Sequence, residues 1–231
     1  MSFGKNLQML RKMRNRMTQE ELAERIGVSR QTVSKWELDM VYPEMEKALE
    51  LCRLFACTMD QLVREDMTAC GEAYSDIRIE KVKAFRYIRY AVISAEPEDD
   101  AKYHVRRWAA QLNIADPVII GWDFPAVSQE QINVYHMHGY AAALVLEDEH
   151  VMNTPDAEII CQQSQRYIAI TIRHPFEAPF RLIPNAYKTL MTYMRANGIE
   201  HKEDVSVLPC FEKEYCVDGI DYMDVYIAIE D

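Results

Sequence analysis

The stretch TQEELAERIGVSRQTVSKWE, residues 18–37, carries the local signals for two short helices separated by a tight turn. Thr18 and Glu21 have the spacing of a capping box, in which the hydroxyl and the carboxylate each accept a free amide at the start of a helix. Apolar residues recur at helical spacing until Gly27, a residue typical of helix C-termini. Ser29 is a favoured cap for the next helix. These signals predict a helix-turn-helix unit.

The second helix of this unit has one apolar side, with Val33 and Trp36, and one polar side. In a helix-turn-helix unit the N-terminal residues of the second helix enter the major groove. Arginine can read guanine there, glutamine can read adenine, and threonine offers a hydroxyl or methyl contact. Gln19, at the start of the preceding helix, is placed to contact a phosphate. The predicted DNA-binding residues are Gln19, Arg30, Gln31, Thr32, Ser34 and Lys35.

Three further short helices are predicted on either side of this unit. Phe3, Leu7 and Leu10 recur at helical spacing before it, and Pro43 breaks the chain after it. An apolar stripe over residues 48–55 predicts a fourth helix, and a cap at position 58 begins a fifth. Residues 1–65 are therefore predicted to form an all-α domain of five short helices.

Residues 18–37, followed by Tyr42-Pro43, resemble the phage-repressor-type (XRE or Cro/C1) helix-turn-helix family. The resemblance extends from about residue 3 to residue 65. It implies that Glu37 pairs with Arg11 as a structural lock and that Trp36 belongs to the core, so that neither reads bases. It also implies a homodimer on double-stranded operator DNA, because two-fold operators mirror two-fold proteins.

Charge is distributed unevenly along the 231 residues, whose net charge is −11. Residues 1–39 contain eight Lys or Arg and five Asp or Glu, whereas residues 67–231 contain 15 basic and 26 acidic residues. A locally basic head on an acidic body fits a small DNA-binding module joined to an unrelated domain.

Targeting and cysteine signals point to the cytoplasm. No secretory signal is visible, and no stretch approaches the roughly 18 apolar residues of a membrane span. The six cysteines form no C-x-x-C pair, which favours free, reduced thiols over a zinc or redox site. We therefore expect a cytoplasmic protein that does not engage a membrane.

The sequence pattern changes after a weakly periodic segment, residues 66–76, which we interpret as a linker. From residue 77 onward, strand-like runs rich in Val, Ile, Tyr and Phe appear, interrupted by two helical patterns. The predicted strand runs are Ile79–Ile93, Val118–Phe124, Val134–Leu146, Glu158–Ile172, Val205–Tyr215 and Tyr222–Ile229. The predicted helices are Asp99–Leu112 and Asn185–Asn197.

The order strand, helix, strand, strand occurs twice, and the two halves resemble each other. Arg86-Tyr87-Ile88 recurs as Arg166-Tyr167-Ile168, and residues 141–147 match residues 224–230. An internal similarity with this period indicates a duplication. Residues 77–231 are therefore predicted to form an α+β domain of two βαββ repeats.

This second domain resembles the GyrI-like effector-binding family. The resemblance is carried by PCFEKEY at residues 209–215, by YMDVYIAI at residues 222–229 and by GWDFP at residues 121–125, while residues 135–138 depart from the family pattern. It implies a small-molecule effector, aromatic or cationic, bound at the junction of the two repeats.

Acidic residues among aromatic rings suit the binding of a cation. Glu212 is the first candidate for the acid and Asp224 the second. Alternation along residues 222–230 places Asp224 and Tyr226 on the face opposite Met223 and Val225, which should pack under the helices. The predicted ligand-binding residues are Trp122, Phe124, Tyr140, Phe211, Glu212, Asp224 and Tyr226.

No cofactor, metal ion or catalytic residue is predicted. His136 and His138 would share one strand face, but no third ligand is near them in sequence. The leading interpretation is a transcription regulator that senses a small molecule. The alternatives are a small-molecule hydrolase that uses Glu212 with Tyr226, and a protein-interaction module, since the GyrI-like family takes its name from an inhibitor of DNA gyrase.

Overall fold

A computed structural model describes residues 3–14, 16–64, 73–75, 77–124, 127–147, 157–204 and 206–231. The chain divides into two compact units, Met1–Tyr74 with Pro179–Glu200, and Ser75–Ala178 with His201–Asp231. Of the predicted linker, residues 66–72 and 76 lie outside the described residues, as does Cys70.

The helices and strands are numbered in chain order. The helices are α1 (Phe3–Met13), α2 (Gln19–Ile26), α3 (Arg30–Glu37), α4 (Met45–Phe55), α5 (Met59–Val63), α6 (Pro97–Gln111), α7 (Gln129–Asn133) and α8 (Pro179–Asn197). The strands are β1 (Arg78–Val82), β2 (Phe85–Ser94), β3 (Ile119–Asp123), β4 (His138–Leu146), β5 (Ile159–Gln162), β6 (Gln165–Arg173), β7 (Cys210–Val217) and β8 (Ile220–Ala228). Among the described residues, no helix is both long and apolar enough to cross a membrane.

The first unit contains the five predicted helices α1 to α5, packed around one apolar core. Its fully buried side chains come from all five helices and include Leu7, Leu22, Val33, Leu51 and Leu62. Helices α1 and α3 approach so closely at Gly4 that a Cβ there would overlap the carbonyl oxygen of Glu37. Helix α8, from the second βαββ segment of the chain, is also assigned to this unit.

The second unit contains one antiparallel sheet with the strand order β1-β6-β8-β7-β3-β4-β2-β5. Strands β2, β4 and β3 of the first repeat mirror β6, β8 and β7 of the second, and the repeats meet where β3 pairs with β7. The prediction of two βαββ repeats is confirmed in chain order.

The sheet must curl, because its ends are tied together by the chain. Only Lys83 and Ala84 separate β1 from β2, so the adjoining strand ends lie within about 11 Å. In a flat sheet, these strands would stand about 29 Å apart, six spacings of about 4.8 Å. The curled sheet therefore has an inner face and an outer face.

The inner face holds an aromatic and small-residue cluster, and the outer face of the first repeat packs against α6. The inner cluster includes Tyr87, Trp122, Ala143, Tyr167, Phe211, Tyr226 and Ala228. The cluster with α6 includes Ile88, Val105, Tyr140, Ala142 and Leu144. Met223 and Val225, predicted on the face opposite Tyr226, are fully buried.

Several predicted strand runs differ from the observed elements. The run over residues 79–93 splits into β1 and β2, and the run over residues 158–172 splits into β5 and β6. Both breaks are two-residue connections that the apolar composition did not reveal. The second predicted helix begins six residues early, at Pro179, and contains Pro184 inside it.

The predicted strand over residues 134–146 is wrong in its first part. A capping box at Ser128 and Gln131 begins the short helix α7, and β4 starts only at His138. His136 precedes the strand with a φ of 52°, in the left-handed region. His136 and His138 therefore do not share a strand face.

Candidate functional site

The capping residues predicted from the sequence form the turn between α2 and α3. The Thr18 hydroxyl accepts a hydrogen bond from the Glu21 amide at 3.2 Å, and the Glu21 carboxylate accepts one from the Thr18 amide at 2.6 Å. Gly27 ends α2 with a φ of 72°. Ser29 then caps α3 by accepting the Thr32 amide at 3.1 Å. These caps satisfy free backbone groups and set the angle at which α3 leaves the turn.

Glu37 joins three helices through one buried carboxylate. The Arg11 guanidinium on α1 donates to both of its oxygens, at 2.6 Å and 3.0 Å. The side-chain amide of Gln19 on α2 donates to the same carboxylate at 2.9 Å. The predicted lock between Arg11 and Glu37 is confirmed. Gln19, predicted to contact a phosphate, is thus also a member of the lock.

The predicted base-reading residues lie on the surface of α3. Arg30, Gln31 and Lys35 are exposed, while Thr32 and Ser34 are half-buried. Val33 and Trp36, on the other side, are buried in the core. The exposed side of α3 is therefore polar and positively charged, and its side chains are free of core packing.

A cavity of about 140 Å³ lies on the outer face of the sheet, where the two repeats meet. It is lined by Lys102, Arg106, Pro117, Ile119, Ile120, Gly121, Tyr140, Glu212 and Glu214. Gly121 on β3 pairs directly with Glu212 on β7, and the Tyr140 hydroxyl lies against Gly121. The junction strands therefore place Glu212 near Tyr140. Two predicted ligand-binding residues, Tyr140 and Glu212, thus share one cavity.

The Tyr140 hydroxyl is buried and has no hydrogen-bond partner among the described residues. The side chain as a whole is 3% exposed. Burial, followed by the charge of Glu212, raises the pKa of Tyr140 far above its ordinary value. The phenol is therefore a permanent donor at neutral pH, and a buried donor without an acceptor is costly.

Lys102 on α6 brings a cation to the same cavity. Its ammonium donates to Glu214 on β7 and, at 2.5 Å, to Glu98, and it lies 5.7 Å from the centre of the Tyr140 ring. Burial alone would lower the pKa of Lys102, but the charge of Glu214 and the hydrogen bonds to both carboxylates outweigh burial and raise it. Lys102 occupies the position over a ring that a cationic ligand would take.

The other predicted acid, Asp224, lies on the inner face and is already neutralised. The Arg78 guanidinium on β1 lies 3.0 Å from its carboxylate and 5.7 Å from the centre of the Tyr226 ring. The Thr171 hydroxyl donates to the same carboxylate. Arg78 thus occupies the position beside Asp224 and Tyr226 at which a cationic ligand was predicted.

The seven predicted ligand-binding residues divide between the two faces of the sheet. Phe211 and Tyr226 stack on the inner face with ring centres 4.5 Å apart. Trp122 belongs to the same cluster, and Phe124 packs against it. Because neighbouring residues on a strand point to opposite faces, Phe211 and Glu212 cannot enter one pocket from the same strand.

Comparisons with known proteins address the first unit directly. A family model described as "Helix-turn-helix" matches residues 7–62. Residues 7–62 are a helix-turn-helix domain. The HTH-type transcriptional activator BcrR of Enterococcus faecalis is 36% identical to this chain over 88 residues, which are 38% of this chain and 43% of BcrR. The matched segment thus spans less than half of that relative.

Two solved structures resemble larger parts of the chain. The crystal structure of the EcmrR C-terminal domain has a TM-score of 0.47 and 10% identity, and covers 68% of this chain and 98% of that one. The cryo-EM structure of an EcmrR–DNA complex has a TM-score of 0.48 and 10% identity, and covers 93% of this chain and 85% of that one. Likenesses of this size assign no ligand.

Sequence reasoning missed two residues that shape these sites. In the helix-turn-helix domain, Asp39 accepts a hydrogen bond from the Gly4 amide at 2.8 Å and so joins the start of α1 to the end of α3. In the sheet, Lys102 reaches a partner 112 residues away, Glu214. The only local signal for Lys102 is Glu98, four residues earlier on the same helix.

Proposed function

We propose that this chain is a transcription regulator that binds operator DNA through its helix-turn-helix domain and a small-molecule effector through its sheet. The observation that supports DNA reading is the polar, exposed side of α3, held by the lock at Glu37. The relative BcrR, named a transcriptional activator, supports the same role.

Arg30 and Gln31 are the proposed base readers, with Thr32, Ser34 and Lys35 beside them. A good bidentate contact between a side chain and a base is worth about 1–3 kcal/mol of discrimination. A single recognition helix supplies few such contacts, so we propose that the protein binds as a homodimer on two half-sites. Gln19, held by Glu37, would contact the phosphate backbone.

The experiment measures binding to a promoter fragment of the protein's own gene over a salt series. The Arg30→Ala/Gln31→Ala variant should lose specific binding and keep only a weak, salt-sensitive affinity. Arg107→Ala/Gln111→Ala is the matched control, since both residues are exposed on α6, and it should bind like the wild type. Equal binding by all three proteins would contradict base reading by α3 at that site.

The effector site that the geometry supports best is the outer cavity with Tyr140 and Glu212. At about 140 Å³ it is smaller than the roughly 300–1,000 Å³ of ordinary ligand pockets, and Lys102 already faces the ring. We propose that a cationic effector binds by displacing the Lys102 ammonium from the Tyr140 ring and Glu214. Displacement of Lys102 would enlarge the cavity and allow the Glu214 carboxylate to contact the cationic ligand.

This binding mode predicts that Lys102→Met increases affinity for small quaternary cations. Tetramethylammonium and benzyltrimethylammonium serve as probes in calorimetric titrations of the full chain. Lys81→Met, an exposed residue on β1, is the control for the change in net charge. If Lys102→Met binds these cations no more tightly than the control does, Lys102 is not a displaceable occupant.

The hydrolase alternative loses its proposed pair of residues. Glu212 lines the outer cavity, whereas Tyr226 lies in the inner cluster, so the two cannot act on one substrate. We therefore propose that the chain works by binding, with effector and DNA changing each other's affinity by the same factor.

A further inference from the structure

A second, larger cavity lies in the first unit and is rich in arginine. It has a volume of about 470 Å³, within the range of about 300–1,000 Å³ that is typical of small-molecule pockets. Four arginines line it, each from a different helix or its end: Arg14 just after α1, Arg25 on α2, Arg53 on α4 and Arg195 on α8. The cavity is open to solvent, since Arg25, Arg53 and Arg195 are exposed and Arg14 is half-buried.

The arginines of this cavity are not neutralised by ion pairs. Within the described parts of the chain, none of the four arginines forms an ion pair. The one acidic residue in the lining, Glu21, is hydrogen-bonded to the amide and hydroxyl of Thr18. Burial and the charge of Arg25 lower the pKa of Arg14, as expected where like charges gather.

Helix dipoles account for part of this charge but not all of it. Arg25, Arg53 and Arg195 lie in the last turns of their helices, where a cation is favourable. A helix C-terminus carries about half a negative charge, so four ends offset about two of the four positive charges. Glu21 offsets one more, so the lining keeps a net positive charge, which solvent screens in part because three of the arginines are exposed.

Asn197 also belongs to the lining of this cavity. Its amide nitrogen donates to the carbonyl oxygens of Met13 and Tyr193, at 3.3 Å and 2.9 Å. Its Oδ1 is buried and meets no donor among the described residues. Asn197 thus joins α8 to the end of α1 at this cavity, and a ligand that fits the cavity carries negative charge toward the arginines.

We propose that this cavity binds a phosphorylated small molecule. Guanidinium groups match phosphate oxygens with two parallel hydrogen bonds. A bound phosphate would relieve the repulsion among the arginines and would hold α8, through Arg195, to α1, α2 and α4. The helix-turn-helix domain would then receive a second input, separate from the Tyr140 cavity.

The test is calorimetric titration of the full chain with inorganic pyrophosphate at low salt, without DNA. We expect saturable binding by the wild type and an affinity at least tenfold lower for Arg25→Gln/Arg53→Gln and for Arg195→Gln. Arg107→Gln/Arg173→Gln, a pair of exposed arginines elsewhere, is the control and should bind like the wild type. No saturable binding by the wild type, or an equal loss in the control pair, would overturn the proposal.

A second arm separates a free phosphate compound from the phosphates of DNA. If the cavity instead contacted the DNA backbone, Arg25→Gln/Arg53→Gln would reduce the salt slope of DNA binding by about 2, and pyrophosphate would compete with DNA. We expect the slope to stay unchanged. Because the first titration contains no DNA, its outcome does not depend on whether the chain regulates transcription.

Discussion

Tyr140 combines a closely packed ring with a hydroxyl that has no hydrogen-bond partner among the described residues. A Cβ on Gly121 would overlap its hydroxyl oxygen, so glycine at position 121 gives the ring its place. The ring packs with Val105 and Leu144 in an apolar cluster, but the hydroxyl finds no acceptor among the described residues. The surroundings therefore stabilise the ring but leave the buried hydroxyl unpaired.

Replacing Tyr140 with phenylalanine should therefore leave the protein as stable as the wild type, or more stable by about 1–2 kcal/mol, because an unpaired buried hydroxyl is removed. Tyr167→Phe is the matched control, since the Tyr167 hydroxyl donates to the Leu208 carbonyl at 2.9 Å and accepts from Gln162 at 3.1 Å. That change should cost about 1–3 kcal/mol. Urea denaturation followed by circular dichroism compares the two. A loss in Tyr140→Phe as large as in Tyr167→Phe would mean that the Tyr140 hydroxyl has a structural partner.

Cys57 should be chemically silent in the folded protein. It is 9% exposed, and burial, together with the neighbouring Cys52, raises its pKa to about 12. Since the thiolate is the reactive form, roughly one thiol in ten thousand would be reactive at pH 8. A thiol reagent at pH 8 should label the exposed Cys161 and Cys216 rapidly and Cys57 only after unfolding, as read by mass spectrometry of peptides. Labelling of Cys57 at the rate of Cys161 would contradict this account.

Among the elements, α3 is held at both ends, by a cap at its start and by an ion pair at its last residue. Ser29 caps the start, and Glu37 at the end is bound by Arg11 and Gln19. The recognition helix is thereby positioned by contacts that leave its exposed side untouched. Substitutions that remove these contacts should lower the stability of the domain directly and affect DNA binding only through the position of α3.

Arg11→Met should destabilise the first unit by about 3–5 kcal/mol, because it leaves the Glu37 carboxylate buried without its main partner. Arg64→Met is the matched control: Arg64 pairs with Asp60 at 3.4 Å, but both side chains are largely exposed, so its loss should cost less than about 1 kcal/mol. Denaturation curves of both variants give the difference. Equal costs for the two substitutions would show that burial of the Glu37 pair has no energetic consequence.

The helix-turn-helix elements could be predicted because their signals are local: a cap, a glycine and an apolar spacing within 20 residues. The ligand residues could be predicted only in part. Sequence alternation places Phe211 and Glu212 on opposite faces, but it does not reveal which strands are neighbours. The pairing of β3 with β7, and the contact between Lys102 and Glu214, arise from tertiary structure alone.

At the scale of the whole molecule, the core of the helix-turn-helix domain is complete within its own sequence. Among the described residues, every buried member of that core lies between Phe3 and Leu62. Helix α8, although assigned to the same unit, contributes none of them. The domain should therefore be able to fold without the rest of the chain.

A fragment of residues 1–64 should fold cooperatively, with helical circular dichroism and a single urea transition. Leu7→Ala in the same fragment is the comparison, since Leu7 is fully buried and its loss should cost about 2–5 kcal/mol. If the unaltered fragment is as unstructured as the Leu7→Ala fragment, the domain depends on parts of the chain outside residues 1–64.

The order of the strands has a consequence for the origin of the sheet. Each repeat is preceded by a short strand that pairs with the other repeat, since β1 joins β6 and β5 joins β2. Two separate copies of one strand–strand–helix–strand–strand segment could make the same eight strands by exchanging their first strands. The strand order is thus the one that two such copies, joined end to end by gene duplication, would produce, while the two halves now differ in the charged residues that they carry.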